Sequence, residues 1–280
     1  MANIGVIGWG VVGKATGAAF AVDPSNKILW YDKKITGPYS FDKVIKNSDF
    51  IFVCVPTPMF HDGSGIDLSI INDVINKVAP KIQNTKKILI IKSSVVPGTT
   101  REFAKKYPKA HFAMNPEFLK EVDAEWDYMH PDRVVVGAEN EADAVEIIKL
   151  HKRILPHEVK MFVTDNTTAE MVKYMANTFL ATKTLFANEI KELADKLQIN
   201  YDDVRKMVGI DSRIGEWGLG VSPFGGVGLK CYPKDTVALL GLAKKLKVDL
   251  SILDAAWKKN LKVRKVRDWE DIAGAVTRKK

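Results

Sequence analysis

The residues with the clearest chemical potential lie in the segment GVGLKCYPKD, residues 226–235, where a glycine-rich turn leads to Cys231. Lys234 and Asp235 follow close behind this thiol. A thiolate is a strong nucleophile that a neighbouring cation stabilises. A thiol that adds to an aldehyde gives a hemithioacetal, from which a nicotinamide can accept a hydride. Combined with the dinucleotide fingerprint described below, the segment predicts an oxidation that passes through a covalent adduct on Cys231.

Side chains that could assist such a thiol occur in two other places. Lys173 and Asn177 lie one turn apart on a predicted helix and offer an ammonium and an amide to a developing oxyanion. Glu117 or Glu121 could activate water for hydrolysis of a thioester. The segment Asn115-Pro116-Glu117 is typical of the N-cap and first two residues of a helix, which would place Glu117 and Glu121 on one face. Acids in a first helical turn also favour the helix dipole without any catalytic role.

A dinucleotide-binding fingerprint lies near the start of the chain. Its glycines stand between the apolar run at residues 3–8 and a helical segment, and Asp32 closes the next predicted strand. The glycines permit a tight turn, a close approach of backbone to pyrophosphate, and packing of helix on strand. Asp32 predicts NAD rather than NADP, although Lys33 and Lys34 weaken that preference. The predicted cofactor-binding residues here are Gly8, Gly10, Val11, Val12, Gly13 and Asp32.

The elements that must position these side chains follow from apolar periodicity. Strand-like runs at 3–8, 27–31, 50–55, 87–91, 134–136 and 159–163 alternate with helical patterns at 41–47, 68–81, 100–106 and 141–154. This alternation predicts an α/β fold with a doubly wound, Rossmann-type parallel sheet. The segment Pro56-Thr57-Pro58 follows one strand and is either a ligand-facing loop or a rigid turn. Cys54, inside that strand, is predicted to be a buried small apolar residue.

The pattern changes after Thr164, where only helical periodicity remains. Residues 167–197 predict one long spine helix with a capping box at Thr167–Glu170, and helical patterns follow at 201–208, 236–245 and 251–262. We therefore predict an NAD-binding Rossmann domain over residues 1–164 and a helical central or dimerisation domain over 165–267. A basic tail would occupy residues 268–280.

Composition restricts the remaining possibilities. The 280 residues are 46% hydrophobic and 27% charged, as in ordinary globular proteins, and no run approaches the roughly 20 apolar residues that span a bilayer. Two cysteines and the absence of signal-peptide features favour a cytoplasmic protein. Of the net charge of +8, +6 falls on residues 258–280. A solvated basic tail is the favoured interpretation, with an anionic ligand or a partner chain as alternatives. Nucleic acid is not expected, because no nucleic-acid-binding motif accompanies the charge.

The chain resembles the UDP-glucose/GDP-mannose dehydrogenase family over residues 4 to about 260, with the shared motifs in the family's order. The resemblance implies a four-electron oxidation of a nucleotide sugar's primary alcohol to a carboxylate, with two NAD reduced and no metal. It also implies a homodimer through the helix that starts near Thr167. The matching segments are Gly8–Gly13, Val55–Pro58, Ser93–Val95, Pro97–Thr100, Asn115–Glu121, Pro131–Gly137, Ala169–Lys173 with Asn177 and Asn188–Glu189, Asp211–Gly215 and Cys231–Asp235.

The resemblance assigns roles to several of the matching residues. Cys231 would carry the thiohemiacetal and thioester, Lys173 and Asn177 would stabilise the oxyanion, Asp235 would orient water or the lysine, and Glu117 would serve hydrolysis. Ser94 joins the implied catalytic set. Further implied cofactor-binding residues are Pro56, Thr57, Ser94, Glu121 and Lys234. The implied substrate-binding residues are Glu117, Phe118, Leu119, Lys173, Asn177, Arg213 and Gly228.

The chain departs from the family's pattern at several points. Leu229 stands where a glycine is usual, Ser94 replaces a threonine, and Val96 replaces a proline. The family's third domain, which closes over UDP, is not expected within these 280 residues. A separate chain could supply it, or the short form could be active alone. Two alternatives remain open: a non-catalytic NAD-binding dimeric partner, and a dehydrogenase of a smaller substrate.

Overall fold

The apolar runs in the first half of the chain form one seven-stranded sheet in the computed structural model, which describes residues 1–277. The strands are β1 Asn3–Ile7, β2 Lys27–Tyr31, β3 Phe50–Val53, β4 Ile88–Ile91, β5 His111–Met114, β6 Arg133–Ala138 and β7 Lys160–Thr164. Their order is β2-β1-β3-β4-β5-β6-β7. Every neighbouring pair is parallel except β5 and β6. The doubly wound Rossmann-type α/β prediction is therefore confirmed, with one antiparallel pair inside the sheet.

Helices connect the strands and then continue alone after β7. They are α1 Val11–Ala21, α2 Phe41–Asn47, α3 Ser69–Ile82, α4 Thr99–Lys106, α5 Ala124–Met129, α6 Glu141–Lys152, α7 Asn166–Lys196, α8 Tyr201–Gly209, α9 Cys231–Leu246 and α10 Ser251–Val263. Among the described residues no helix combines the length and apolar character needed to cross a membrane.

The described chain divides into two compact units. Unit 1 contains Met1–Thr57 and Leu68–Lys173, and unit 2 contains Pro58–Asp67 and the chain from Tyr174 onward. The domain boundary predicted after residue 164 coincides with the end of β7, whereas the structural division comes later, inside α7. The predicted domain limits stay a prediction, and the last three residues of the predicted tail lie outside the described residues.

The central strands of the unit 1 sheet, β3 and β4, are buried on both faces, which explains their continuous apolar sequence. On β4, Ile88 and Ile90 pack with α1, α5 and α6 on one face. Leu89 and Ile91 pack with α2, α3 and α4 on the other. Because the carboxyl ends of parallel strands share one edge of the sheet, the loops after β1, β3 and β4 emerge together there.

The structure corrects the helix predicted to begin at Asn115. Residues 115–120 are not helical, and the next element is a short 3-10 turn at Glu121–Asp123. The Asn115 amide is engaged elsewhere, because its Nδ2 donates to the Val135 carbonyl (2.8 Å) and its Oδ1 accepts from Lys92 Nζ (2.9 Å). It therefore cannot cap a helix, and Glu117 and Glu121 share no helical face.

The beginning of α7 also differs from the sequence prediction. Asp165, rather than Thr167, caps this helix, since its Oδ1 accepts from the backbone N–H groups of Thr167 (2.9 Å) and Thr168 (3.1 Å). Glu170 does not close a capping box. Its carboxylate accepts from the backbone N–H groups of Gly98 (2.6 Å) and Thr100 (2.8 Å) at the start of α4.

Unit 2 is held together by small helix-packing clusters. Ala187 and Ala194 of α7 pack with Tyr201 of α8 and with Leu219. A second cluster joins Ala181, Leu185 and Val227 to partly buried residues that include Tyr232 of α9. The small side chains on α7 permit the close approach of its neighbours. These clusters fix the helices that carry the thiol segment.

Candidate functional site

The glycine fingerprint forms a backbone cradle at the start of α1. Gly8 has a φ of +96°, and a β-carbon there would lie 2.6 Å from the Cys54 carbonyl oxygen. A β-carbon on Gly13 would lie 1.9 Å from the Gly8 carbonyl oxygen. Gly10, by contrast, has open space around its Cα and is the N-cap of α1, directly before Val11 and Val12. The open N-terminus of α1 therefore fits a pyrophosphate group.

Asp32 lies directly after β2, where a dinucleotide ribose would be expected. Its Oδ2 accepts from the Trp9 backbone N–H (2.8 Å), and its Oδ1 accepts from that of Lys34 (2.7 Å). Partial burial opposes ionisation, but these backbone donors outweigh it and lower the pKa of Asp32. The carboxylate therefore stays charged at neutral pH, as recognition of a ribose hydroxyl requires. The cradle and Asp32 together fit NAD.

Two stacked tryptophans support this region, and the sequence analysis did not identify them. The rings of Trp9 and Trp30 lie 4.6 Å apart, with an angle of 10° between their planes. Trp9 belongs to the glycine fingerprint and Trp30 to β2, so the stack joins the turn to the strand that precedes Asp32. The signal available in the sequence was a tryptophan between the first two fingerprint glycines.

The loops after β3 and β4 are tied to each other. Thr57 is buried and its Oγ1 donates to the Ser94 carbonyl oxygen (2.8 Å), while Ser93 Oγ donates to the Val55 carbonyl oxygen (2.7 Å). Ser94 is half-buried, whereas Pro56 is exposed. The structure thus places Pro56, Thr57 and Ser94 in adjoining loops at the carboxyl edge of the sheet.

Glu117 and Lys173 form a buried ion pair in unit 1. Their side chains are 9% and 3% exposed, and Lys173 Nζ lies 2.8 Å from Glu117 Oε1 and 2.6 Å from the Glu117 carbonyl oxygen. Burial of the Glu117 carboxyl opposes its ionisation. The charge and hydrogen bond of Lys173, the Leu119 backbone N–H and the charge of Lys92 outweigh that effect and lower the pKa of Glu117. The Glu117 carboxyl is therefore ionised at neutral pH.

The residues that follow Glu117 differ in their burial and in their contacts with the ion pair. Phe118 lies under two cations, with the Arg133 guanidinium 4.0 Å and Lys173 Nζ 5.6 Å from its ring centroid. Leu119 is half-buried, and its backbone N–H is 2.8 Å from Glu117 Oε2. Glu121, expected near the nicotinamide, is an exposed residue at the start of the 3-10 turn.

Lys92 is a buried cation that the sequence analysis missed. It follows β4 directly, is almost fully buried, and contacts both the Asn115 amide and the face of the Tyr128 ring, whose centroid is 4.9 Å away. Burial lowers the pKa of Lys92 to about 8, so it remains mostly protonated at pH 7. The signal was a lysine continuing an apolar strand, a position that is rarely charged without partners.

In unit 2, the thiol lies at the first residue of α9. Cys231 is half-buried there, and Lys234 and Asp235 follow one turn later on the same face of the helix. Asp235 is 0% exposed and accepts a hydrogen bond from Asn177 Nδ2 (2.6 Å) and another from Lys234 Nζ. The N-terminus of α9 favours negative charge at Cys231. The structure thus brings together Asn177, Lys234 and Asp235 one turn from the thiol.

Two asparagines fix the glycine-rich turn before Cys231. Asn188 Oδ1 accepts from the Gly226 backbone N–H (2.9 Å). Asn260 is fully buried and bonds both polar groups of the Val227 backbone, at 2.8 and 3.1 Å. The sequence analysis did not single out Asn260, whose contact with Val227 joins segments far apart in the chain. Arg213, the expected substrate ligand, is exposed and paired with Asp211 (2.6 Å).

Comparisons with known proteins agree with this geometry. Residues 30–155 match the NAD binding domain of the UDP-glucose/GDP-mannose dehydrogenase family, and residues 167–262 match its central domain. UDP-glucose 6-dehydrogenase of Rickettsia typhi is 38% identical over 232 residues, which are 81% of this chain and 52% of that protein. UDP-glucose 6-dehydrogenase TuaD of Bacillus subtilis is 31% identical over 94% of this chain and 64% of its own length.

Solved structures give the same result. A UDP-glucose dehydrogenase from Pyrobaculum islandicum has a TM-score of 0.84 and 29% identity, covering 94% of this chain and 68% of that one. The chain spans about half the length of the Rickettsia relative, at 52%. The chain belongs to the UDP-glucose/GDP-mannose dehydrogenase family, whose NAD-binding and central domains it carries.

Proposed function

We propose that this protein oxidises the primary alcohol of a nucleotide sugar to a carboxylate with NAD, through a thiohemiacetal and a thioester on Cys231. One observation carries the proposal: Cys231 begins α9, with the buried Asn177–Asp235–Lys234 group one turn away. A carboxylate with no exposure that is held by an amide and an ammonium is a costly arrangement for packing alone. Placed beside a thiol, it suits nucleophilic catalysis.

Cys231 acts after the alcohol has become an aldehyde. Its sulfur adds to the aldehyde carbon, and the carbonyl oxygen takes up a proton to give a thiohemiacetal. Loss of a hydride from that carbon and a proton from that oxygen gives a thioester on Cys231. Water then displaces the sulfur, which releases the carboxylate and restores the thiol. The N-terminus of α9 stabilises the Cys231 thiolate both as the nucleophile that adds to the aldehyde and as the leaving group in hydrolysis of the thioester.

Lys173 and Asn177 serve the oxygen of the reacting carbon. Their ammonium and amide donors would stabilise negative charge that develops on that oxygen during addition and hydrolysis. Glu117 is kept ionised by Lys173 and is therefore able to accept a proton from the attacking water. Asp235 holds the Asn177 amide by a 2.6 Å hydrogen bond and so orients this donor.

NAD, when bound, accepts one hydride in each of the two oxidation steps. The chain's part is to bind it, with the α1 N-terminus on the pyrophosphate and Asp32 on the adenosine ribose. Thr57 and Ser94 lie in the adjoining loops at the same edge of the sheet. Overall, one alcohol and one water give one carboxylate, two hydrides and three protons.

UDP-glucose, giving UDP-glucuronate, is the proposed substrate because relatives at 38% and 31% identity are named UDP-glucose 6-dehydrogenase. The test is an NADH-release assay with the purified 280-residue chain over UDP-glucose, UDP-N-acetyl sugars and GDP-mannose. The expected result is two NADH for each UDP-glucose consumed. Absence of NADH with every nucleotide sugar at all protein concentrations would refute the proposed activity of this chain.

Two further measurements, NAD binding by calorimetry and the same NADH assay with free sugars and small alcohols, test the alternatives. NAD binding by calorimetry without turnover would favour a non-catalytic NAD-binding partner, or a requirement for a separate chain. Oxidation of free sugars or small alcohols in preference to nucleotide sugars would favour a dehydrogenase of a smaller substrate. A stoichiometry of one NADH per sugar would exclude the acyl-enzyme pathway.

We further infer that the protein is a homodimer that pairs through α7. Within unit 2, this helix carries an unburied apolar stripe with the spacing of a helix-packing face, and its side chains are 56–66% exposed. Contiguous exposed apolar surface of this kind is typical of interaction sites. On α7 the stripe consists of Met175, Phe179, Phe186 and Leu193, and Leu197 continues it directly after the helix ends.

A further inference from the structure

The residue two positions before Cys231 has an unusual backbone conformation. Leu229 has a φ of +58°, in the left-handed region where a side chain with a β-carbon is disfavoured. Lys230 follows as the N-cap of α9, and Cys231 is the first residue of that helix. The direction in which α9 begins therefore depends on a conformation that leucine does not prefer.

Asp268 contacts this strained residue directly. The Leu229 backbone N–H donates to Asp268 Oδ2 at 2.9 Å. Arg264 Nη2 lies 2.9 Å from the same oxygen. The carboxylate oxygen that accepts the Leu229 hydrogen bond therefore also forms an ion pair with Arg264. Asp268 lies in a 3-10 turn after α10, far from Leu229 in the sequence.

Arg264 is the centre of this arrangement. Its side chain is 8% exposed, and besides Asp268 it donates from Nη1 to the Gly225 carbonyl oxygen (3.0 Å) and from Nε to the Val266 carbonyl oxygen (2.8 Å). The guanidinium also lies over the Phe224 ring, 5.5 Å from its centroid. One buried cation thus joins the beginning of the glycine-rich turn to the segment that carries Asp268.

Gly228 shows how closely the ion pair fits the turn. A β-carbon at residue 228 would lie 2.1 Å from Arg264 Nη2 and 2.5 Å from Asp268 Oδ1. Its φ is outside the left-handed region, so the glycine is required by the ion pair and not by its own backbone angle. The turn before Cys231 is built around the Arg264–Asp268 pair.

We propose that Arg264 and Asp268 form a clasp that holds Leu229 in the left-handed conformation and thereby positions Cys231 at the start of α9. Both are positioning residues, because they act on the turn and not on the reacting atoms. The clasp explains how leucine is tolerated at this position: a charge-assisted hydrogen bond offsets the backbone strain. The catalytic consequence rests on the proposed function, whereas the structural one does not.

Hydrogen exchange of the full chain tests the clasp without any assay of activity. The expected result for Asp268→Ala is about tenfold faster exchange in peptides covering residues 224–232, with no change over β4. Leu229→Gly in the same variant should restore exchange to within about threefold of wild type, because glycine adopts positive φ without strain. Asp271→Ala, an exposed acid three positions further on, is the matched control and should match wild type.

A different result is expected if Asp268 only stabilises the surrounding fold and does not act on the backbone of Leu229. Exchange at residues 224–232 in Asp268→Ala would then be equally fast with leucine or glycine at residue 229, and that outcome overturns the clasp. Unchanged exchange in Asp268→Ala overturns it as well. If Asp268→Ala fails to fold, Asp268→Asn replaces it. The asparagine oxygen can still accept the Leu229 N–H but loses the charge pairing, so exchange should rise by about threefold and fall again with Leu229→Gly.

Turnover provides the second measurement, on the nucleotide sugar that gives NADH with the wild-type chain. Asp268→Ala should lower kcat by about tenfold with little change in the KM for NAD, and Leu229→Gly should recover most of the loss. If neither the wild type nor any variant turns over substrate, the proposed function is refuted. The hydrogen-exchange measurement still tests the clasp in that case. A normal kcat in Asp268→Ala together with fast exchange would show that the clasp does not position Cys231.

Discussion

The Glu117–Lys173 pair shows how a buried charge depends on its partner. Both side chains are almost fully buried, and the lysine also donates to the Glu117 carbonyl oxygen. Without Lys173 a carboxylate at this position would be unfavourable, because burial opposes its ionisation and only the Leu119 backbone N–H and the charge of Lys92 would remain to offset that effect. The pair is therefore a structural unit of unit 1 as well as a proposed catalytic one.

Lys173→Met should lower the free energy of unfolding by about 3–5 kcal/mol at pH 7, because it leaves a buried carboxylate unpaired. Urea denaturation followed by circular dichroism measures the change. Adding Glu117→Gln to Lys173→Met should recover a large part of it, since no unpaired charge remains. Lys105→Met, which removes an exposed pair with Glu102, should cost less than about 1 kcal/mol. Equal losses in the two lysine variants would contradict the prediction.

The two cysteines should respond very differently to substitution. Cys231→Ala should lower turnover by about a thousandfold or more, because no acyl intermediate can form. Cys54 packs against the core, and burial raises the pKa of its thiol to about 12, so it remains protonated. Cys54→Ala is the matched control and should retain turnover within about threefold. The measurement is NADH release under saturating substrate; activity that survives Cys231→Ala would rule out the thioester.

At the scale of the elements, Glu170 joins α7 to the beginning of α4. Its fully buried carboxylate accepts from two backbone N–H groups that have no partner within α4. Burial raises the pKa of Glu170 to about 7, against the opposing effects of these donors and of the Arg101 charge. The loop that precedes α4 carries Ser94, so the state of Glu170 bears on the carboxyl edge of the sheet.

The pKa of Glu170 predicts a pH dependence of stability. Because the folded-state value lies above the ordinary 4.5, the folded protein binds more protons than the unfolded chain between these values. Its stability should therefore fall as the pH rises from 4.5 through about 7. Between pH 5 and 8 the wild type should lose about 2–3 kcal/mol relative to Glu170→Gln, which does not titrate. Urea denaturation at several pH values measures this difference, and parallel curves for the two proteins would disprove it.

Several elements were predictable because their signals are local. The helix over 41–47 was predicted with its observed bounds, and Ser40 caps it through the Lys43 backbone N–H. The long helix predicted over 167–197 is observed as Asn166–Lys196. The strand β5 was missed, because its four residues, HFAM, carry no alternating or β-branched pattern. Its antiparallel pairing with β6 is likewise decided by tertiary contacts that no local pattern encodes.

For the candidate site, the residues of the motifs could be predicted from the sequence, whereas the residues that hold those motifs in place through hydrogen bonds could not. The fingerprint glycines and the residues around Cys231 have characteristic spacing. Lys92, Asn260 and Asp268 have none, because they act through contacts with residues distant in the sequence. The helix predicted at Asn115 failed for the same reason: the asparagine bonds Lys92 and Val135 across the sheet instead of the backbone ahead of it.

At the scale of the whole molecule, the basic C-terminal region and the apolar stripe of α7 indicate two different kinds of surface. Many basic residues of the C-terminal region are paired, including Lys258 with Asp254, Lys259 with Glu192, and Arg264 with Asp268. Such pairing agrees with a solvated basic surface better than with a dedicated anion site. The apolar stripe of α7 in unit 2 is different, because large apolar side chains such as Phe179 and Phe186 remain exposed to solvent, which is unfavourable unless another surface covers them.

The proposed homodimer through α7 predicts that Phe179→Glu, Phe186→Glu, or both together convert the protein to a monomer. Placing carboxylates in the middle of an apolar interface opposes association, since each must be desolvated and meets its symmetry mate in an isologous contact. Light scattering after size-exclusion chromatography should give about 62 kDa for the wild type, twice the chain mass of 31.2 kDa, and the single-chain mass for the double variant. Lys191→Glu, on the opposite side of α7, should remain dimeric. A wild type that is monomeric at micromolar concentration, or a double variant that stays dimeric, would place the interface elsewhere or exclude it.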